Sequence, residues 1–234
     1  MGSIHVDGVT KRLGSTVAVG DVSFTVESGE HVGLFGPNGA GKTTLMQMLS
    51  TLSAPSEGRI RIDGAEVTPD ATDVRRKLGV VGHRPMVYGT LTARENLRLH
   101  ARLRGVSTDR VERVLEQVNL RTRASTRVEE YSHGMRKRLA IARSVLHDPT
   151  VLLLDEPYTG LDQRSAADLR RILEQFDDRT VVLATHDLER GANVCDRALV
   201  LVDGDVVRDV RTDDRDADAF RTVYERAIGL AEPQ

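Results

Sequence analysis

The chain has little cysteine, no long apolar run and almost no net charge, and each shortage excludes something. A single cysteine, Cys195, rules out an internal disulfide framework and leads us to expect a reducing compartment. No run of about 18 apolar residues is present, so no segment reads as a bilayer span. The opening "MGSIHVDGVTK" has no long apolar stretch, and a secretory signal is not expected. A formal net charge of -2 gives no reason to expect nucleic acid as a partner. Neither internal repeats nor low-complexity tracts occur. Together these exclusions point to a cytoplasmic globular protein.

What is present is ordinary in bulk and specific in detail. The 234 residues, 39% hydrophobic and 29% charged, suffice for one large domain or two small ones. Short apolar strands alternate with helical patterns, which predicts an α/β protein with a largely parallel sheet. The predicted strands are Ile4–Val9, Val22–Val26, Val32–Phe35, Arg59–Ile62, Leu78–Val81, Val151–Leu154, Val181–Ala184 and Ala198–Val202. A hairpin turn at Asp203-Gly204 should lead into Val206–Val210. From about Thr92 to His147 only helical signals occur. There Val111, Val114, Leu115 and Val118 recur at helical spacing, with Ser107 or Thr108 as the expected cap. After Val210 the stretch "RTDDRDAD" reads as a linker. An amphipathic segment with Phe220, Val223, Tyr224 and Ala227 on one face follows, and docking on the chain's own core is favoured over a dimer contact.

Two stretches carry chemistry. "HVGLFGPNGAGKTTL" is a strand, a glycine-rich loop and a helix start. Gly36, Pro37, Asn38, Gly39, Ala40, Gly41, Lys42, Thr43 and Thr44 make a complete P-loop and its continuation. The glycines let successive backbone N–H groups point inward, and the helix N-terminus adds a positive dipole end. Lys42 would reach the β- and γ-phosphates of ATP, and the Thr43 hydroxyl would bind Mg²⁺. The second stretch is "VLLLDEPYTGLD", an aliphatic strand running into Asp155 and Glu156. Two carboxylates at the end of a buried strand repel each other unless something offsets them. An Asp155 that holds the magnesium of the P-loop supplies that reason. Because neighbours on a strand point to opposite faces, Glu156 is expected to turn away from the metal and polarise an attacking water.

With "EEYSHGMRKRLAIARSVLHDPT" ahead of it, this region resembles the ABC-type ATPases, the nucleotide-binding subunits of ATP-driven transporters. The family signature is commonly Leu-Ser-Gly-Gly-Gln. Here Ser132 and Gly134 match it, while Tyr131, His133 and Met135 depart. "GLD" resembles the D-loop with its Asp162, and "ATHD" places His186 as the switch histidine. The resemblance covers residues 1 to about 210, with a helical signature subdomain at about 84–147 and a C-terminal linker and helix at 211–234. It implies a P-loop NTPase (RecA-like) core, an antiparallel β subdomain and an inserted helical subdomain. It also implies ATP and Mg²⁺ as cofactors, and hydrolysis by Lys42, Glu156 and His186. Two subunits would close head to tail, with Ser132 and Gly134 of one facing the nucleotide of the other. An integral membrane permease would be the partner, with the chain peripheral on the inner face of the membrane.

Two positions depart from the family in ways that bear on function. Leu13 stands where members often stack an aromatic residue on adenine, a loss on the order of 1–3 kcal/mol that apolar contact offsets in part. His83 stands where the Q-loop usually has a glutamine near the magnesium. Imidazole can accept from a metal-bound water there, with a charge that depends on pH. After it, Met86, Val87 and Tyr88 are expected as exposed anchors for the membrane partner. "GHRP", "LTARENLRLHARLRG" and "DEPYTGLD" resemble the haem-exporter branch of cytochrome c biogenesis, the CcmA type. Subunits of drug, lipid or polysaccharide exporters share most of these words, and that choice stays open. Soluble relatives fit less well: the chain has one cassette, not two, and no room for a long coiled coil before the signature. A pure nucleotide sensor would need neither Glu156 nor His186.

Overall fold

The computed structural model of the protein describes residues 2–212 and 217–229. A long hairpin opens the chain, β1 (Ile4–Leu13) and β2 (Thr16–Val26), followed by β3 (His31–Phe35) and the helix α1 (Lys42–Leu49). Next come β4 (Glu57–Ile62), β5 (Ala65–Glu66), α2 (Thr72–Lys77) and β6 (Leu78–Val81). A helical stretch holds α3 (Ala93–Arg104), α4 (Arg110–Gln117) and α5 (His133–Val145). The chain then runs through β7 (Val151–Asp155), α6 (Gln163–Leu173), β8 (Thr180–Thr185) and α7 (Leu188–Ala192). It ends in the hairpin β9 (Arg197–Val202) and β10 (Asp205–Arg211), then α8 (Ala217–Ala227).

Two sheets result. One is antiparallel, in the order β2-β1-β4-β5; the other runs β10-β9-β3-β8-β7-β6, with only β10 antiparallel. Their burial follows from the strand pleat. Val151 and Leu153 of β7 enter the core between the sheets, with Ile60, Leu34 and the α1 residues Leu45 and Met48. Leu152 and Leu154 enter the opposite core, with Leu97, Val111, Leu115 and Leu139 of the helical stretch. A strand covered on both faces must be apolar at every position, which is why β7 reads as an unbroken run. Each such leucine contributes roughly 1.5–3 kcal/mol through burial.

Three local expectations differ from the structure. The first hairpin is longer than its apolar ends suggested, because "TKRLGSTVAVG" extends past Val9 on an irregular, bulged ladder with exposed residues. α4 begins at Arg110 behind Asp109, which makes no side-chain cap; the Ser107 hydroxyl instead accepts from the Asp109 N–H at 3.2 Å, closing a turn before the helix. The strand β5 had no apolar signal at all. By contrast, the Asp203-Gly204 turn adopts positive φ at both residues, 49° and 94°, as a tight hairpin requires. α8 docks on the chain's own sheet: Phe220 meets Phe35 edge-on at 4.9 Å, and Tyr224 is buried beside Ala198 and Val200. Half of the expected linker, residues 213–216, lies outside the described residues.

Candidate active site

The parallel strands β3, β7 and β8 end side by side, and their C-terminal ends build one cleft. β3 delivers the glycine-rich loop, and residues 38–44 line the cleft together with Ala18, His83 and Glu156. Gly41 takes φ 100° and lies so close to the Ala18 carbonyl of β2 that a Cβ would collide with it. The antiparallel sheet thus sets the loop's path. Lys42 is 6% exposed, and its Nζ donates to the carbonyls of Gly36 at 2.6 Å and Pro37 at 2.9 Å. Burial holds its pKa below the usual lysine value, and the charges of Glu156 and Asp155 oppose that shift. The ammonium is therefore costly where it sits, and phosphate oxygens would stabilise it.

Thr43, one residue on, donates its hydroxyl to Asp155 Oδ1 at 3.5 Å. Asp155 is buried, which raises its pKa, and the neighbouring Glu156 charge raises it further; Thr43, His83 and Lys42 pull the other way. A hydroxyl beside a desolvated carboxylate is an oxygen donor set suited to Mg²⁺, which takes one or two protein carboxylates and completes its shell with phosphate and water. Among the described residues no cluster of three or more His, Cys, Asp or Glu side chains could hold a metal alone. A magnesium ion here would depend on the nucleotide for its remaining ligands.

Glu156 lies just beyond β7, and its backbone takes φ 50°, a left-handed conformation unfavourable for a non-glycine residue. Two bonds hold it there: its N–H donates to the Ala184 carbonyl at 2.8 Å, and buried Lys137 donates to its carbonyl at 2.9 Å. The turn, rather than strand alternation, redirects its carboxylate, which corrects the expectation from the pleat. Thr159 and Thr185 donate hydroxyls to Oε2 at 3.2 and 3.3 Å, and His186 Nδ1 lies 2.8 Å from Oε1. Neither threonine nor Lys137 was singled out from sequence. Lys137 did leave a trace: it sits three and four residues from buried Gly134 and Ile141 on the inner face of α5.

The remaining expected site residues lie elsewhere. Ser132 caps α5, its hydroxyl accepting from the Met135 N–H at 3.2 Å. Gly134 packs so closely on Ser165 that a Cβ would come within 2.7 Å of the hydroxyl. Asp162 caps α6, accepting from the Ser165 N–H at 2.7 Å; these bonds hold its pKa below the usual value. Ser132, Gly134 and Asp162 thus gather around one end of α6, and none of them lines the phosphate cleft. Leu13, at the hairpin tip, is 55% exposed and does not line it either. Of the proposed anchors, Met86 and Tyr88 are exposed, whereas Val87 packs into the helical core. Cys195 is buried and burial pushes its thiol pKa up, as expected of a packed rather than reactive cysteine.

Comparison with known proteins gives a consistent result. The ABC transporter family model matches residues 19–159. The ABC transporter ATP-binding protein NatA of Bacillus subtilis is 38% identical over 197 residues, which is 81% of this chain and 80% of that protein. The Nod factor export ATP-binding protein I of Rhizobium johnstonii is 39% identical over 210 residues, covering 86% of this chain and 67% of that one. Among solved structures, the dimeric post-hydrolysis state of the cassette MJ0796 bound to ADP and Pi matches with a TM-score of 0.81 at 28% identity, over 91% of this chain and 100% of that one. CbiO1 of Clostridium perfringens, part of the complex cbiONQ, shares the fold at a TM-score of 0.84 over 94% of this chain and 91% of its own.

Proposed function

The chain belongs to the ABC transporter family as an ATP-binding, ATP-hydrolysing subunit, and from that premise we propose that it powers an exporter through ATP-driven closure of a homodimer. The observation that carries the catalytic reading is the Glu156 carboxylate, beside the P-loop, with His186 Nδ1 2.8 Å away and two threonine hydroxyls on its other oxygen. A carboxylate restrained on both oxygens is oriented to accept a proton from water at the γ-phosphate. Lys42 and the loop N–H groups stabilise charge on the phosphates. Thr43, Asp155 and His83 would hold Mg²⁺ and its water, and the ion would supply charge neutralisation between the β- and γ-phosphates. Ser132 and Gly134, outside the cleft, serve the nucleotide of the second subunit, and Asp162 lies at the same seam. Leu13 gives the adenine an apolar contact in place of an aromatic one.

The export direction rests on the similarity to the Nod factor export ATP-binding proteins. "GHRP", "LTARENLRLHARLRG" and "DEPYTGLD" are all that favours the haem-exporter branch, and subunits of other exporters share most of these words. We place the membrane permease on the groove lined by Met86, Leu52, His100, Arg75, Arg104 and Arg143. Burial lowers the pKa of both Arg104 and Arg143, whereas Arg75 acts on the exposed Asp70 carboxylate. Such a groove suits an acidic, partly apolar segment. No helix of the described residues is long and apolar enough to cross a membrane, so attachment would be peripheral. The test is Glu156→Gln: ATP binding should persist, hydrolysis should fall by about 10²-fold or more, and gel filtration with Mg-ATP should show a stable dimer. A variant that hydrolyses ATP at the wild-type rate refutes the assignment.

A further inference from the structure

We propose that His133, which replaces a glycine of the resembled signature, is a positioning residue for hydrolysis, tying the start of α5 to Thr159 and through the Thr159 hydroxyl to the Glu156 carboxylate of the same subunit. This inference rests on the reading of Glu156 as the residue that polarises water. Three observations carry it. The ring Nε2 of His133 lies 3.2 Å from the Thr159 carbonyl oxygen, a donor distance when Nε2 bears the proton. Thr159 in turn donates its hydroxyl to Glu156 Oε2 at 3.2 Å. Gly160, at φ 74°, leaves room for the imidazole, since a Cβ there would stand 3.2 Å from Nε2.

The tether adds a side-chain hold to a residue whose own backbone N–H is only weakly bonded. Within its turn the Thr159 N–H reaches the Glu156 carbonyl only at a long 3.4 Å. The other end of the link is firm: Ser132 caps α5, and Gly134 packs against Ser165 of α6. An imidazole anchored at the helix start therefore restrains the Thr159 peptide, and with it the direction of the hydroxyl. The exposed ring of His133 fills no core, so it can be removed without leaving a cavity. A glycine at this position could form no such link. When a second subunit's nucleotide seats against α5, the displacement would reach Glu156 through Thr159, coupling the two ATP sites.

Steady-state hydrolysis by the full-length chain across a range of ATP concentrations tests this. His133→Ala should lower kcat on the order of three- to tenfold, the scale of one lost hydrogen bond, with KM for ATP changed less than about twofold. His133→Gln, whose side-chain amide can reach the same carbonyl, should restore most of the rate. Thr159→Val should lower kcat similarly, and the double variant should be no slower than Thr159→Val alone, because both act through one chain of contacts. Multiplying losses in the double variant overturn the proposal. So does an unchanged kcat with a raised KM, which would make His133 a direct nucleotide contact. So too does a His133→Gln variant as slow as His133→Ala. Glu156→Gln, assayed alongside, separates the two levels. If it hydrolyses ATP normally, the reading of Glu156 fails; if it is inactive while His133→Ala is unimpaired, only the tether fails.

Discussion

Glu156 Oε1 and His186 Nδ1 lie 2.8 Å apart although they belong to different strand–loop units. β7 and β8 are parallel neighbours in a register that sets Asp155 against Ala184, so the residues just past each strand end are adjacent. His186 is half-exposed, with the ring fixed by the carboxylate rather than by burial. His186→Ala should therefore leave ATP affinity near wild type and lower kcat by about 10- to 10³-fold, since it frees one oxygen of Glu156. Equilibrium ATP binding and single-turnover hydrolysis measure the two quantities. A loss confined to affinity would place His186 in nucleotide binding instead.

Ser132 is exposed at the start of α5 and outside the phosphate cleft. Ser132→Arg adds bulk and charge at that surface and removes the helix cap, which costs about 0.5–2 kcal/mol of stability. ATP binding by a single subunit should survive while dimer-dependent hydrolysis falls at least about tenfold. Nucleotide binding and ATPase assays on one preparation check this; full hydrolysis would remove Ser132 from the dimer seam.

Lys137 is 2% exposed and donates to the Glu156 carbonyl, and burial holds its pKa below the usual lysine value. Lys137→Met keeps most of the volume but leaves that carbonyl only the long 3.4 Å bond from the Thr159 N–H, at a cost of about 1 kcal/mol. It also releases the left-handed turn, so kcat should fall with stability. The sign of the pH effect follows from linkage. Between the lowered folded pKa and the unfolded value of about 10.4, the unfolded chain binds more protons at this site. Wild type should thus gain stability relative to Lys137→Met as pH rises through that window, and lose this gain as pH falls below it. Denaturant unfolding of both proteins across alkaline pH decides it; a constant difference would mean the lysine is not desolvated in the fold.

Tyr88 is 52% exposed, and its ring stacks on His100 at 6.4 Å at the rim of the arginine-lined groove. Tyr88→Ala should leave the isolated subunit's ATPase within about twofold of wild type and weaken copurification with the membrane permease. Arg143→Ala should do the same more strongly, at some cost in stability, because Arg143 also holds the Met86 carbonyl. Full retention of the permease by both variants would move the docking surface elsewhere.

The sequence by itself determined the parts of this protein whose signals are contiguous. The P-loop is one loop between one strand and one helix, and its glycines, Lys42 and Thr43 need only each other to be recognised. β7 is buried on both faces, so its identity is written in four successive aliphatic residues. The turn at Asp203-Gly204 depends on two residues that tolerate positive φ. Only the tertiary structure decided what depends on distant partners. Glu156 takes its direction from φ 50°, held by Ala184 on another strand and Lys137 on a helix, and no local pattern encodes that combination. The length of the first hairpin was hidden because its exposed, bulged half pairs through backbone groups that every residue carries. Thr159, Thr185 and His133 are common residue types on a turn, a strand end and a helix start. Their roles come from hydrogen bonds made across 3, 29 and 26 residues, and all but the shortest of these exist only once the strands lie side by side.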